Sequence, residues 1–166
     1  YSATVTASDG VNNSTQDISV TINNLNDNSP EFSSSPTFSA AENQTAIGAA
    51  TATDADGDTL TYSISGSAIT INSSSGVIAF TSAPDYETQT SYTATISASD
   101  GVNTTTQAIT VNVTNVNDNS PEFTTSATFS AAENQTAIGT VIATDVDGDE
   151  VTFSTSSSDL NITSAG

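Results

Sequence analysis

Tyr92, Ala94, Ile96 and Ala98 stand two apart with Thr or Ser between them, and the alternation resumes at Ile109, Val111 and Val113, separated by Thr110 and Asn112. A period of two sends one set of side chains to each face of an extended strand. Between the runs lies Asp100-Gly101-Val102-Asn103, whose residue types supply turn chemistry, so the pair predicts a β-hairpin. Upstream, Leu60, Tyr62 and Ile64 predict a third strand, and Ile69/Ile71 and residues 77–80 two more, with a turn over residues 73–76. Residues 46–53 read as one further strand of smaller side chains, and residues 37–40 as a short first strand. Seven short strands, regular turn signals and no helical period predict an all-β Greek-key sandwich. Outward positions are nearly all Ser, Thr and Asn, which hydrate a sheet without charge.

The pattern then repeats. NLNDNSPEF at residues 24–32 returns as NVNDNSPEF at residues 115–123, an offset of 91 residues shared by Tyr1/Tyr92, Asp9/Asp100 and Asp54/Asp145. The register runs without a gap to Leu60/Val151 and weakens after Ser65/Ser156. With about 91 residues per repeat, each period is a small domain, and the chain is a window in a tandem array. The expected units are the C-terminal part of one repeat (1–28), a complete repeat (29–119) and the N-terminal part of a third (120–166). Pro30 and Pro121 mark the junctions, where a short Pro-bearing acidic connector should be stiff. Phe32/Phe123 and Phe38/Phe129 are expected to cap the core beside these junctions.

Charge removes several function classes. The chain has no Lys, Arg or His and 19 acidic residues, a formal net charge of −19. Nothing here can neutralise phosphates, so nucleic acid and anionic membrane surfaces are excluded as partners. Without His or Cys, Ser-His and Cys-His catalysis is impossible. No apolar run reaches membrane-spanning length, so no membrane insertion of this segment is expected. The recurrent alternation argues against reading the acidity as disorder. No disulfide can hold so small a unit together, which leaves metal as the usual substitute.

The acids recur in fixed elements: Ala-Glu-Asn-Gln (Glu42, Glu133), Asp-x-Asp-Gly-Asp (Asp54/Asp56, Asp145/Asp147), Asp85-Tyr86-Glu87, Ala-Ser-Asp-Gly (Asp9, Asp100) and Asn-Asp-Asn (Asp27, Asp118). Calcium takes six to eight oxygens from carboxylates, amides and carbonyls. Oxygen-only donors suit calcium and are wrong for zinc or copper. Asp-x-Asp-Gly-Asp also begins an EF-hand loop, but no acid follows at the twelfth position and no helices flank it. The carboxylate pair Asp85/Glu87 could in principle serve glycoside hydrolysis, but both acids are wanted as metal ligands, so no enzyme activity is expected.

Five such elements in this order resemble tandem cadherin-type repeats of a large extracellular surface protein, and more closely the bacterial cadherin-like kind, given the near-identical units and missing basic residues. The resemblance implies immunoglobulin-like β-sandwiches with calcium between successive units. At the second junction it implies a first ion among Glu42, Asp85, Glu87 and Asp118. A second would use Glu42, Glu87, Asn115, the Val116 carbonyl, Asp118 and Asp147, and a third Asn117, the Asn119 carbonyl, Asp145 and Asp147. The first junction keeps Asn26, Asp27, Asn28, Asp54, Asp56 and Asp100, while Asp9 and Glu133 would serve junctions outside this window. The linker departs from the family pattern by opening with Asn24 and Asn115 where Asp is usual, one negative charge fewer at each junction.

The implied function is a calcium-stiffened structural segment of an extracellular or cell-surface adhesin or filament, partnered by neighbouring repeats or identical chains. A carbohydrate-binding module meeting surface glycans is an alternative, as is a fibre subunit that assembles by strand donation. Glycosylation sequons stand at Asn12, Asn13, Asn43, Asn72, Asn103, Asn112, Asn134 and Asn161.

Overall fold

A computed structural model describes residues 1–165 and contains strands and no helix among them. The first segment is a hairpin of β1 (Ser2–Ser8) and β2 (Asn13–Ser19), paired antiparallel from Ser2↔Ser19 to Ser8↔Asn13. The middle segment holds β3 (Glu31–Phe32), β4 (Thr37–Ala41), β5 (Ala46–Ala49), β6 (Ala52–Thr53), β7 (Thr61–Ile64), β8 (Ile69–Ile71), β9 (Val77–Phe80), β10 (Ser91–Ser99) and β11 (Thr104–Thr114). The last contributes β12 (Glu122–Phe123) and β13 (Ala143–Thr144).

Two layers make the middle segment. One is a four-stranded sheet in the order β4-β11-β10-β7; the other combines β5-β9-β8 with the short β3-β6 pair. The expected hairpin is β10–β11, in register from Ser91↔Asn112 to Ser99↔Thr104. β4 lies parallel to β11, from Thr37↔Thr110 to Ala41↔Thr114, so a strand close to the start of the middle segment is neighbour to its last one. This is an immunoglobulin-like β-sandwich.

Alternation becomes burial as expected. Ile96 of β10 and Ile109, Val111 and Val113 of β11 are buried and share one core with Ile69, Ile78 and Phe80 of the opposite sheet, and Ala98 is buried as well. Ile78, Ile96, Ile109 and Val111 are fully enclosed. Burying each such side chain contributes about 1.5–3 kcal/mol, so a thin core suffices for a unit of this size. Phe80 and Tyr92 meet edge-on with ring centroids 5.0 Å apart. The Tyr62 hydroxyl accepts a hydrogen bond from the Ala52 backbone N–H (3.1 Å), tying β7 to β6 across the layers.

Three expectations change. Residues 46–53 are not one strand: β5 pairs with β9 through a bulge, and β6 turns to pair with β3. Ala50 donates its N–H to the Gly76 carbonyl (2.9 Å), carrying the β5–β9 register one residue past Ala49↔Val77 before the chain crosses to β3. β3 is an added strand, too short to leave an alternation. Finally, Phe32 and Phe38 pack against the core, whereas Phe123 is 68% exposed and Phe129 42% exposed. Among the described residues around them only β12 and β13 pair, and the Phe123 ring meets that of Phe153 with centroids 6.2 Å apart.

Candidate metal centres at the junctions

The second junction is built around Glu42, the residue after β4. It is 3% exposed, the one buried charged side chain among the described residues. Its Oε2 accepts from the Tyr86 backbone N–H and its Oε1 from that of Val116, both at 2.7 Å. One carboxylate therefore fixes both the Asp85-Tyr86-Glu87 turn and the linker. The Glu42 backbone is itself placed by its N–H bond to the Thr114 carbonyl at the end of β11 (3.1 Å). Asp85 takes hydrogen bonds from the Thr88 hydroxyl (2.9 Å) and N–H (3.2 Å). These hold its carboxyl below the ordinary value, the side-chain bond acting most strongly.

Carboxylate oxygens then form a connected series. One oxygen each from Glu42, Asp85 and Glu87 lie within 4.8 Å of one another, as do those of Glu87, Asp118 and Asp147, and of Asp145, Asp147 and Asp149. Glu87 belongs to the first two sets and Asp147 to the last two, so the series crosses from one repeat into the next. Desolvation, followed by the charges of Glu42 and Asp147, pushes the Glu87 carboxyl up. Asp147 is held below the ordinary range, chiefly by the Asn119 side-chain amide.

Amides fasten the same junction. Asp147 Oδ2 accepts from the backbone N–H groups of Asp118 (3.1 Å) and Asn119 (2.8 Å), and its Oδ1 from Asn119 Nδ2 (2.9 Å). Asn115 Nδ2 donates to the Asp147 carbonyl at 2.7 Å. Asn119 Nδ2 also donates to Asp118 Oδ1 (2.7 Å), and Asn43 Nδ2 to Asp118 Oδ2. Asp145 Oδ1 accepts from the Asp147 N–H (2.9 Å), which shapes the Asp-x-Asp-Gly turn. Val116 and Asn117 lie exposed in the linker between these contacts.

The first junction repeats the scheme. Asp56 Oδ2 accepts from Asp27 (3.0 Å) and Asn28 (2.8 Å) backbone N–H, Asn28 Nδ2 reaches Asp56 Oδ1 (2.8 Å), and Asn24 Nδ2 reaches the Asp56 carbonyl (2.8 Å). The backbone N–H of Asn28, above all, holds Asp56 below the ordinary range. The β10–β11 turn joins in, since Asn103 Nδ2 donates to Asn26 Oδ1 (3.2 Å), the Asn28 carbonyl (2.9 Å) and Asp100 Oδ2 (3.2 Å). At Asp100 burial opposes ionisation but is outweighed by the Asn103 and Val102 N–H groups, and its carboxyl sits low.

Asp58 was not singled out by the motif, yet its carboxylate lies within 4.8 Å of those of Asp54 and Asp56. Asp58 Oδ2 and Asp54 Oδ2 are buried atoms without a hydrogen-bond partner. Desolvation, then the charges of Asp54, Asp56 and Asp100, raises the Asp58 carboxyl. Asp149 holds the equivalent place at the second junction. The signal was the third acid of each Asp-x-Asp-Gly-Asp element, which a turn alone would also explain. Asp9 and Glu133 do not join an acidic trio among the described residues; Asp9 caps the β1–β2 turn instead, accepting from Val11 (2.9 Å) and Asn12 (2.6 Å) N–H. Its carboxyl is held low by those bonds, that from Asn12 first.

An oxygen-only donor set with orphaned buried carboxylate oxygens fits a hard divalent cation, and nothing softer. The sandwich and its acidic ends define a class: an immunoglobulin-like repeat module. The sequence profile of the cadherin domain matches residues 36–114. Mouse cadherin-related family member 2 is 41% identical over 95 residues, 55% of this chain and 7% of that protein. Mouse protocadherin Fat 4 is 33% identical over 155 residues, 86% of this chain and 3% of that protein. Domains EC3-6 of a protocadherin gammaB7 cis-dimer share the fold with a TM-score of 0.71 at 26% identity, covering 90% of this chain and 43% of that one. The chain belongs to the cadherin family and is built of its extracellular repeats. It spans a few per cent of the length of these mouse relatives.

Proposed function

We propose that this segment is a calcium-stiffened spacer in an extracellular adhesive protein, with calcium held at each junction between repeats. The observation that carries this reading is the sharing of Glu87 and Asp147 between successive carboxylate sets, so that one acid-rich series belongs to two repeats at once. Glu42, Asp85, Glu87 and Asp118 would hold one ion; Glu42, Glu87, Asn115, the Val116 carbonyl, Asp118 and Asp147 a second. Asn117, the Asn119 carbonyl, Asp145 and Asp147 would hold a third, with Asp149 as an added oxygen. At the first junction Asn26, Asp27, Asn28, Asp54, Asp56 and Asp100 fill the corresponding roles, joined by Asp58. Asp9 and Glu133 are assigned to the preceding and following junctions, and residues 1–28, 29–119 and 120–166 to three successive repeats.

Calcium supplies positive charge where carboxylates crowd, and thereby turns mutual repulsion into a cross-link between domains. Extracellular modules of this kind bind in the range of about 10⁻⁴–10⁻³ M, matched to a calcium-rich medium. Work of this type needs no catalytic group. Partners are the neighbouring repeats and further copies of the same chain.

Calorimetric titration with calcium, paired with X-ray scattering and thermal melting with and without chelator, tests the reading. Binding, a longer maximum dimension and a higher melting point in calcium are expected. Identical scattering and melting in chelator would overturn it.

A further inference from the structure

We infer that Asn24 and Asn115 are positioning residues whose side-chain amides hold part of each junction together without metal, and that Asp in their place would make alignment depend more strongly on calcium. Two independent instances carry this. Asn115 Nδ2 donates to the Asp147 carbonyl at 2.7 Å, and 91 residues earlier Asn24 Nδ2 donates to the Asp56 carbonyl at 2.8 Å. Both bonds run from the start of a linker to the Asp-x-Asp-Gly turn of the following repeat.

A carboxylate at this position has no hydrogen to give. It would set an anionic oxygen against a carbonyl oxygen and leave that carbonyl without its partner. It would also add a charge beside Asp118 and Asp147, whose carboxylates already crowd that of Glu87. The amide thus does the opposite of what a carboxylate would: it lowers the repulsion that opens a metal-free junction and adds a bond that closes it. The other latching bonds are of the same kind, since the Asp118 and Asn119 N–H groups and Asn119 Nδ2 all converge on the Asp147 carboxylate. What the latch gives up is one formal charge towards calcium, and affinity follows ligand charge.

The calcium arm of this inference rests on the function proposed above; the metal-free arm does not. The test follows hydrogen exchange of the Asp118 and Asn119 backbone amides by NMR in the full chain, first in chelator. In the unsubstituted protein these amides are expected to be protected. In N115D and N115A they should exchange about five- to tenfold faster, the effect of one hydrogen bond. With calcium added, N115D alone should regain protection fully and bind the ion about tenfold more tightly than the unsubstituted chain. A bond that served only to hold the fold would not make the Asp variant the tighter calcium binder.

N24D, read at Asp27 and Asn28, repeats the experiment where the substituted residue lies outside the central core. The inference is overturned if Asp118 and Asn119 are unprotected in the unsubstituted protein without calcium. It is equally overturned if N115D and N24D exchange at the unsubstituted rate. Failure of the unsubstituted chain to bind calcium would overturn the proposed function and leave the chelator result to decide the latch.

Discussion

Glu87 and Asp147, 60 residues apart in sequence and on opposite sides of the second junction, bring carboxylate oxygens within 4.8 Å of each other. The effect falls on one partner: desolvation and then the charges of Glu42 and Asp147 push the Glu87 carboxyl up, while Asp147 is held low, chiefly by the Asn119 side-chain amide. Such a pair is tolerable for a junction that meets a cation and unfavourable for one that does not.

Removing one of those charges should therefore act in opposite directions with and without calcium. E87Q is expected to raise the melting temperature in chelator, because repulsion falls, and to weaken calcium binding about tenfold or more, because a shared ligand is lost. Differential scanning calorimetry at two calcium concentrations reads both. A variant less stable in chelator than the parent would contradict the account.

Acidity should also act in two directions on the metal-free protein. Glu87 and Asp58 have raised carboxyls, so their protonated forms favour the folded junction, and the stability they contribute is lost as pH rises through their folded pKa values. Asp147, Asp56, Asp85 and Asp100 are lowered; their contribution is present above the ordinary carboxylate range near about 4 and is lost as pH falls below it. Stability in chelator should thus increase from neutral pH towards the upper edge of that range, then fall below it. A melting temperature that declines steadily from pH 7 downward would refute this.

Gly76 is a structural choke point. Its φ is +70°, and a Cβ added there would lie 2.2 Å from the Ala50 carbonyl oxygen, which is backbone and cannot swing aside. G76A should destabilise the middle repeat by at least about 2 kcal/mol through backbone strain and overpacking. Urea denaturation followed by tyrosine fluorescence would measure it; an unchanged midpoint would show that the β8–β9 turn relaxes freely.

Glycans should sort by position. The nitrogens of Asn43 and Asn103 that a sugar would occupy already donate at the junctions, Asn43 to Asp118 in the linker, and Asn103 to Asn26 and Asn28 and to Asp100 of its own turn. Asn112 projects from the exposed face of β11. In a glycosylating host, molecules carrying sugar at Asn43 or Asn103 should bind calcium more weakly than those modified only at Asn112. Mass spectrometry of fractions separated by calcium-dependent retention would test this, and equal retention would argue against it.

What the sequence made legible was whatever depended on period and register. Ile96, Ala98, Ile109, Val111 and Val113 alternate in the chain and are buried in the sandwich, because strand geometry converts spacing directly into facing. Acids at a 91-residue offset pointed to matching junctions for the same reason. Tertiary interruptions left no such trace. Nothing in residues 46–53 announces the change of partner, from β9 up to Ala50 to β3 from Ala52, that divides the strand in two. Nor does the replacement of Asp by Asn115 reveal, as a letter, whether an amide is a weakened ligand or a donor; only its 2.7 Å contact with the Asp147 carbonyl distinguishes the roles. Asp58 was visible as a third acid, but an orphaned buried oxygen is a property of packing rather than spacing.

The parallel pairing of β4 with β11 has a mechanical consequence. Tension along the array enters the middle repeat ahead of Thr37 and leaves it after Thr114, at opposite ends of two neighbouring strands. Pulling slides those strands past each other, so the bonds between Thr37↔Thr110 and Ala41↔Thr114 are loaded together in shear instead of being peeled open one at a time. Glu42, set between the end of this ladder and the linker, places the acid-rich junction in series with it. The repeat is organised to resist traction along the same line on which its ends bear charge.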